Sequence, residues 1–170
     1  MTIIVRLLAL ALAVFFSTWT HAQQSRVVPI ETTALSMADA LNAATTAISS
    51  CEADGHRVVA IVLNPEGNIQ VFLRGDGTTS YAIDSARMKA YTLANLGPIR
   101  DTATSSGLAG SILSSGNANP QLSNIPGMLL VGGAVMIIKD GRRAGVLGVA
   151  GAPGGDLDEA CATDGVNAIQ

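Results

Sequence analysis

Four charged side chains, Arg74, Asp76, Arg87 and Lys89, are spaced so that they could hold an anion. Arg74 and Asp76 close an alternating run, and Arg87 and Lys89 sit on the helical stretch that follows. Where a hairpin end meets a helix, guanidinium and ammonium groups can converge on a carboxylate or phosphate through charge-assisted bonds. The same spacing suits a salt-bridged surface cluster, and the residues alone leave both readings open. His56 is the second candidate. An imidazole can ligate haem iron or another metal, but a lone His after Asp54-Gly55, at a strand entrance, also suits a surface position. With no second His beside it and no CxxC pair, a zinc site has too few ligands. No G-x-S-x-G elbow accompanies His56, which argues against Ser/His/Asp hydrolysis.

The glycines carry less chemistry than they suggest. Nine of the chain's 18 lie between Gly127 and Gly155. Gly145, Gly148 and Gly151 have the wrong spacing for a dinucleotide fingerprint, and there is no P-loop. Gly151-Ala152-Pro153-Gly154-Gly155 precedes a helix, where free N–H groups could cradle an anion. Asp156, Asp158 and Glu159 at that helix start complement the dipole themselves and would repel phosphate. A capped turn is the better reading.

These side chains depend on a simple run of elements. Met37, Leu41, Ala44 and Ile48 recur at helical spacing over 36–53, with Ser36 as N-cap. Residues 57–63 read as a strand and 64–68 as a turn. Ile69–Arg74 returns with Ile69, Val71 and Leu73 facing one way, which makes a hairpin. A second helix spans 81–96, stopped by Gly97-Pro98. The segment 101–124 is rich in Ser, Asn and Gly, with a short helix near 107–113. Three strands are expected near 128–132, 135–139 and 145–150, and a last helix over 156–169. The order α-β-β-α-β-β-β-α predicts an α+β domain with a five-stranded, mainly antiparallel sheet flanked by helices.

The first residues read differently. One Arg, an apolar run over 7–19 and Thr20-His21-Ala22 form a secretory signal pattern. The run is too short to span a bilayer. Cleavage after Ala22 would leave a single domain over 23–170, with 148 residues and, since Arg6 is the only charge lost, a net charge of −4 rather than −3. Phe72, Tyr81 and Tyr91 would then be its only aromatics. Mild acidity and few rings argue against nucleic acid. No second long apolar run exists, so no membrane association is expected after cleavage, and the destination is periplasmic or secreted. Cys51 and Cys161, an even pair in an exported chain, point to a disulfide between the first and last helices.

Phe72-Leu73-Arg74-Gly75-Asp76-Gly77 and Ala86-Arg87-Met88-Lys89-Ala90-Tyr91-Thr92-Leu93-Ala94 resemble an "R-x-D-G … A-R-x-K-A-x-T-A" signature, departing at Leu93. Ile125-Pro126-Gly127, Gly132-Gly133 and Gly145–Ala152 resemble "I-P-G … G-G … G-x-x-G-V-x-G-A", completed by Gly155–Asp158. The signatures are those of the GlcG/HbpS-like family, which includes the C-terminal domain of PduO-type proteins. The resemblance runs from Ser36 to Ile169. It implies a profilin-like α/β/α sandwich, homo-oligomeric assembly and, in some members, haem binding or haem and iron handling. Other members are associated with glycolate or diol metabolism, so a haem-free enzyme or accessory subunit using Arg74, Asp76 and Lys89 is the alternative. An oligomeric scaffold is a third reading. On the haem side, the resemblance points to Thr92 of K-A-x-T, with Lys89 and Arg87 toward the propionates, while His56 is chemically the better iron ligand.

Overall fold

The computed structural model describes residues 31–114 and 120–170. The signal sequence over 1–22 lies outside them. Helix α1 (Met37–Ala53) leads to strands β1 (Val59–Leu63) and β2 (Ile69–Arg74). Helices α2 (Tyr81–Arg100) and α3 (Ser105–Leu113) follow, with a 3-10 turn at Pro120–Asn124. Strands β3 (Ala134–Lys139) and β4 (Arg142–Ala150) then precede helix α4 (Gly155–Asn167). The strands form one antiparallel sheet in the order β2-β1-β4-β3. Cores on both faces make three layers, with α1 and α4 on one side and α2 and α3 on the other.

The sheet has four strands among the described residues, not the expected five. Residues 128–133 form no ladder. The Leu129 N–H is taken by the Thr92 hydroxyl and the Gly133 N–H by Glu159, so side chains satisfy donors that a strand would pair.

Both long helices bury mostly alanine, and in α1 two of the large residues that gave the sequence its periodicity lie outside the buried stripe. In α1 the buried stripe is Ala40, Ala43, Ala44, Ala47 and Cys51, whereas Met37 and Leu41 face solvent. Gly165 of α4 lies against the Ala43 carbonyl, too close for any side chain there. Backbones at that distance leave room only for small residues, and Gly165 continues the helix instead of ending it. The Cys51–Cys161 disulfide then ties α1 to α4, with its Cα atoms 5.5 Å apart.

Helix α2 rests on β4 in the same way. Ala82, Ala86, Ala90, Leu93 and Ala94 form its buried stripe. It also runs past Gly97-Pro98 to Arg100, where termination was expected. Pro98 has no N–H to offer the Ala94 carbonyl. Nη1 of Arg143 takes that carbonyl at 2.9 Å, which removes the reason for the helix to stop.

Two bulges redirect side chains. Leu63 pairs with Ile69 while Val62 pairs with Val71, so Gln70 is the extra residue. The bulge turns Ile69 onto the α2 face with Phe72, away from Val71 and Leu73. In β4, Ala144 is the extra residue between Gly145 and Arg143, which aims Arg143 at α2.

Candidate functional site

Lys89 is not at the surface. It is 3% exposed, in the stretch of α2 that rests on β4. Nζ lies 2.6 Å from Oδ2 of Asp158 and donates to the Val149 carbonyl at 3.3 Å. The other Asp158 oxygen accepts from the Ala152 N–H at 3.0 Å. Burial pushes the Asp158 carboxyl above its ordinary value, while Lys89 and the Ala152 N–H pull the other way.

The pair joins the two helical layers past the end of the sheet, and Gly133 leaves it room. A Cβ on Gly133 would lie 2.6 Å from Lys89 Nζ and 2.8 Å from the Val149 carbonyl. Its φ of +124° is one that other residues resist. Beside it, Glu159 accepts from the Gly133 N–H at 3.1 Å, the Ser106 N–H at 2.9 Å and both the Ser105 and Ser106 hydroxyls. A carboxylate thus caps the N-terminus of α3. The acidic start of α4 therefore does more than complement its own dipole. Asp158 takes the Ala152 N–H of the glycine turn, and Gly155 packs against the Gly132 carbonyl. Of the turn's N–H groups, that of Ala152 is therefore not free for an anion.

The remaining charged candidates separate. Arg74 donates Nε to the Thr78 carbonyl at 3.1 Å, and Nη2 donates to the same oxygen, which holds the loop after β2. Asp76 lines an open cleft of about 450 Å³ with Glu52, Gly55, His56, Arg57 and Gly77. Arg87 lies half-buried on another side of α2, toward Gly127. Tyr91, one turn on, sets its ring between Gly67 and Gly127. Thr92 is 1% exposed. It donates to the Met88 carbonyl at 2.7 Å and accepts from the Leu129 N–H at 2.8 Å. A single cleft of Arg74, Asp76, Arg87 and Lys89, one of the two readings the sequence left open, is therefore not formed, because Lys89 is buried against Asp158 and Arg74 is committed to Thr78. What the fold brings together instead is His56, Arg57, Asp76 and Glu52.

Sequence reasoning missed Asp158 as the partner of Lys89, Glu159 as a cap and Arg57 as a cleft residue. Lys89 did carry a signal. It falls beside Ala86, Ala90 and Leu93 on the apolar stripe of α2, where an ammonium needs a buried partner. No group of three or more His, Cys, Asp and Glu side chains able to hold a metal ion occurs among the described residues.

A family model described as "Haem degrading protein HbpS-like" matches residues 35–167. The chain belongs to the HbpS-like family. A double mutant of Streptomyces reticuli HbpS is 35% identical with a TM-score of 0.72, over 84% of this chain and 91% of that one. Two further structures share the fold. Klebsiella pneumoniae protein ORFY is 19% identical with a TM-score of 0.70, over 85% of this chain and 94% of its own. The PduOC:haem complex is 20% identical with a TM-score of 0.69, over 81% and 96%. No curated protein matches the sequence.

Proposed function

We propose that this HbpS-like protein is an exported haem-binding protein, acting in haem or iron handling from the periplasm or outside the cell. Its fold is then the profilin-like sandwich of that family, and it works as a homo-oligomer. Support comes from the family description, from HbpS at 35% identity and from the haem complex of the similarly folded PduOC. No helix among the described residues is long and apolar enough to cross a membrane.

The observation that carries the reading within this chain is the cleft at His56. It places an imidazole, the usual protein ligand of haem iron, beside the Arg57 guanidinium, a partner for a propionate. Its volume lies in the range of small-molecule sites. Of the remaining candidates, Thr92 and Lys89 are buried and already bonded, so they would act through the structure around them. Arg87 is half-buried and Arg74 is exposed. A bound haem would supply a redox-active iron, with His56 as its ligand and Arg57 holding a carboxylate.

Hemin titration of the mature protein tests this. A saturable Soret shift is expected, lost in His56→Ala and weakened in Arg57→Ala. A hemin spectrum indifferent to the protein would end the haem reading. A shift that survives His56→Ala would end the ligand assignment. Mass spectrometry of exported protein should find Gln23 at the N-terminus, and light scattering should find an oligomer. The polar walls of Glu52, Asp76 and His56 also favour a second reading, a haem-free site with acid–base groups for a small hydroxylated metabolite. Turnover of a short hydroxy acid without hemin would support it.

A further inference from the structure

The two glycines of Gly75-Asp76-Gly77 meet different needs. Gly75 serves strand pairing: its N–H donates to the Val58 carbonyl at 2.9 Å, and a Cβ there would meet that same oxygen. Gly77 lies beyond β2 with a φ of +70°. A Cβ on it would lie 2.9 Å from Nη1, 3.2 Å from Cδ and 3.3 Å from Cζ of Arg57. The guanidinium and its last methylene therefore lie across the bare glycine. At Gly141, with nearly the same φ of +72°, a Cβ would meet nothing within 4 Å. The backbone of Arg57 is fixed from another side, because Gly151 lies against the Arg57 carbonyl, too close for any Cβ. The ion pairs among the described residues are Lys89–Asp158 and Lys139–Asp39, so Glu52 and Asp76 leave Arg57 unpaired in the cleft they share. An arginine already held in place loses less rotamer freedom when it takes an anion.

We propose that Gly77 is a positioning residue of the His56 cleft: it seats the Arg57 guanidinium so that the cleft captures a ligand's carboxylate. This rests on the reading of Arg57 as the carboxylate partner. Two sources supply such a carboxylate, a haem propionate and a short hydroxy acid, and the same contact serves both. In Gly77→Ala the added methyl displaces the guanidinium. The cleft then keeps its imidazole and loses its hold on the anion.

Hemin, hemin dimethyl ester and lactate, titrated into the mature protein, test the proposal. Wild type should bind hemin about tenfold more tightly than the ester, whose propionates carry no charge. Gly77→Ala should erase that preference by weakening hemin alone. The Soret position of the bound form should stay where it was, because His56 still ligates the iron. In the Arg57→Ala background the same substitution should change neither affinity, since Gly77 acts through Arg57. Gly141→Ala carries the same backbone strain in the β3–β4 turn and should keep the wild-type preference. If Gly77→Ala fails to fold, Gly77→Asn replaces it, because Asn tolerates a positive φ and still brings the Cβ. A hemin spectrum that wild type does not alter ends the haem reading, and lactate then decides. It should shift the ¹⁵N–¹H resonance of Arg57 Nε saturably, with about tenfold more needed in Gly77→Ala. Equal affinity of wild type for hemin and its ester overturns the proposal. So does a Gly77 variant that keeps the preference, a double variant weaker than Arg57→Ala, or, where hemin does not bind, an Arg57 resonance that lactate leaves unmoved.

Discussion

Removing the Asp158 carboxylate should cost this protein a large part of its stability. In Asp158→Ala the Lys89 ammonium stays buried with only the Val149 carbonyl, 3.3 Å away, as a partner. The Ala152 N–H loses its acceptor as well. Breaking one side of a buried ion pair costs about 3–5 kcal/mol. That is roughly two to three and a half decades in the folding equilibrium, or about 6–20 °C in the thermal midpoint for a domain of this size. The double variant Lys89→Met/Asp158→Leu removes both charges and keeps the volume apolar, so it should recover most of the loss. Urea unfolding of wild type, both single variants and the double variant gives the coupling energy. If Asp158→Ala costs under about 1 kcal/mol, or if the double variant costs the sum of the singles, the pair is not the closed, buried link described above. The folded double variant should also bind hemin like wild type, because Lys89 offers no free atom to a ligand.

Gly133→Ala should lose at least about 2 kcal/mol, seen in the urea midpoint, because a Cβ at φ +124° would meet the Val149 carbonyl at 2.8 Å. Replacing Cys51 and Cys161 by Ser opens a loop with a sequence separation of 110; the chain-entropy account gives about 4–5 kcal/mol, measurable against wild type without reductant. Thr92→Val removes the acceptor of the Leu129 N–H, and hydrogen exchange at that amide should speed up while the global unfolding midpoint moves little. The hydrogen bond from Lys139, with Ser36, holds the Asp39 carboxyl below its ordinary 3.8. Its stabilising contribution is therefore complete above that unfolded value and lost as pH falls through the lower folded one, so Asp39→Asn should flatten the acid limb of the urea midpoint.

The order of elements was legible because turns and caps are local. Ser36 caps α1 through the Asp39 N–H, as its type and position suggest. Helix α1 was placed correctly, but two of the four residues that set its period face solvent. Met37 and Leu41 supplied the period, yet the interface with α4 admits only Ala and Gly. Pro98 read as a stop because its remedy, Arg143, lies 45 positions away in a strand. The fifth strand failed for a similar reason. An apolar run near 128–132 looks like a strand until Thr92 and Glu159 take the N–H groups on either side of it. The candidate site suffered most. Lys89 and Asp158 are 69 residues apart, and whether a charge faces a cleft or another charge depends on which layers meet. The cysteine pairing, by contrast, followed from an even count and two helices that could share a face.

The same disulfide constrains the order in which the molecule can be made. The four strands of the described residues all lie between Cys51 and Cys161, so the covalent ring encloses the sheet they form. Chain emerging from a ribosome or a translocation channel delivers α1 first, and its cysteine must wait for α4. Oxidation before the sheet has assembled would trap α1 and α4 around an unfinished interior. Oxidation afterwards must reach sulfurs that the folded protein has already covered. The productive interval is the one in which α4 docks, and an oxidant arriving outside it selects the yield of protein rather than its stability.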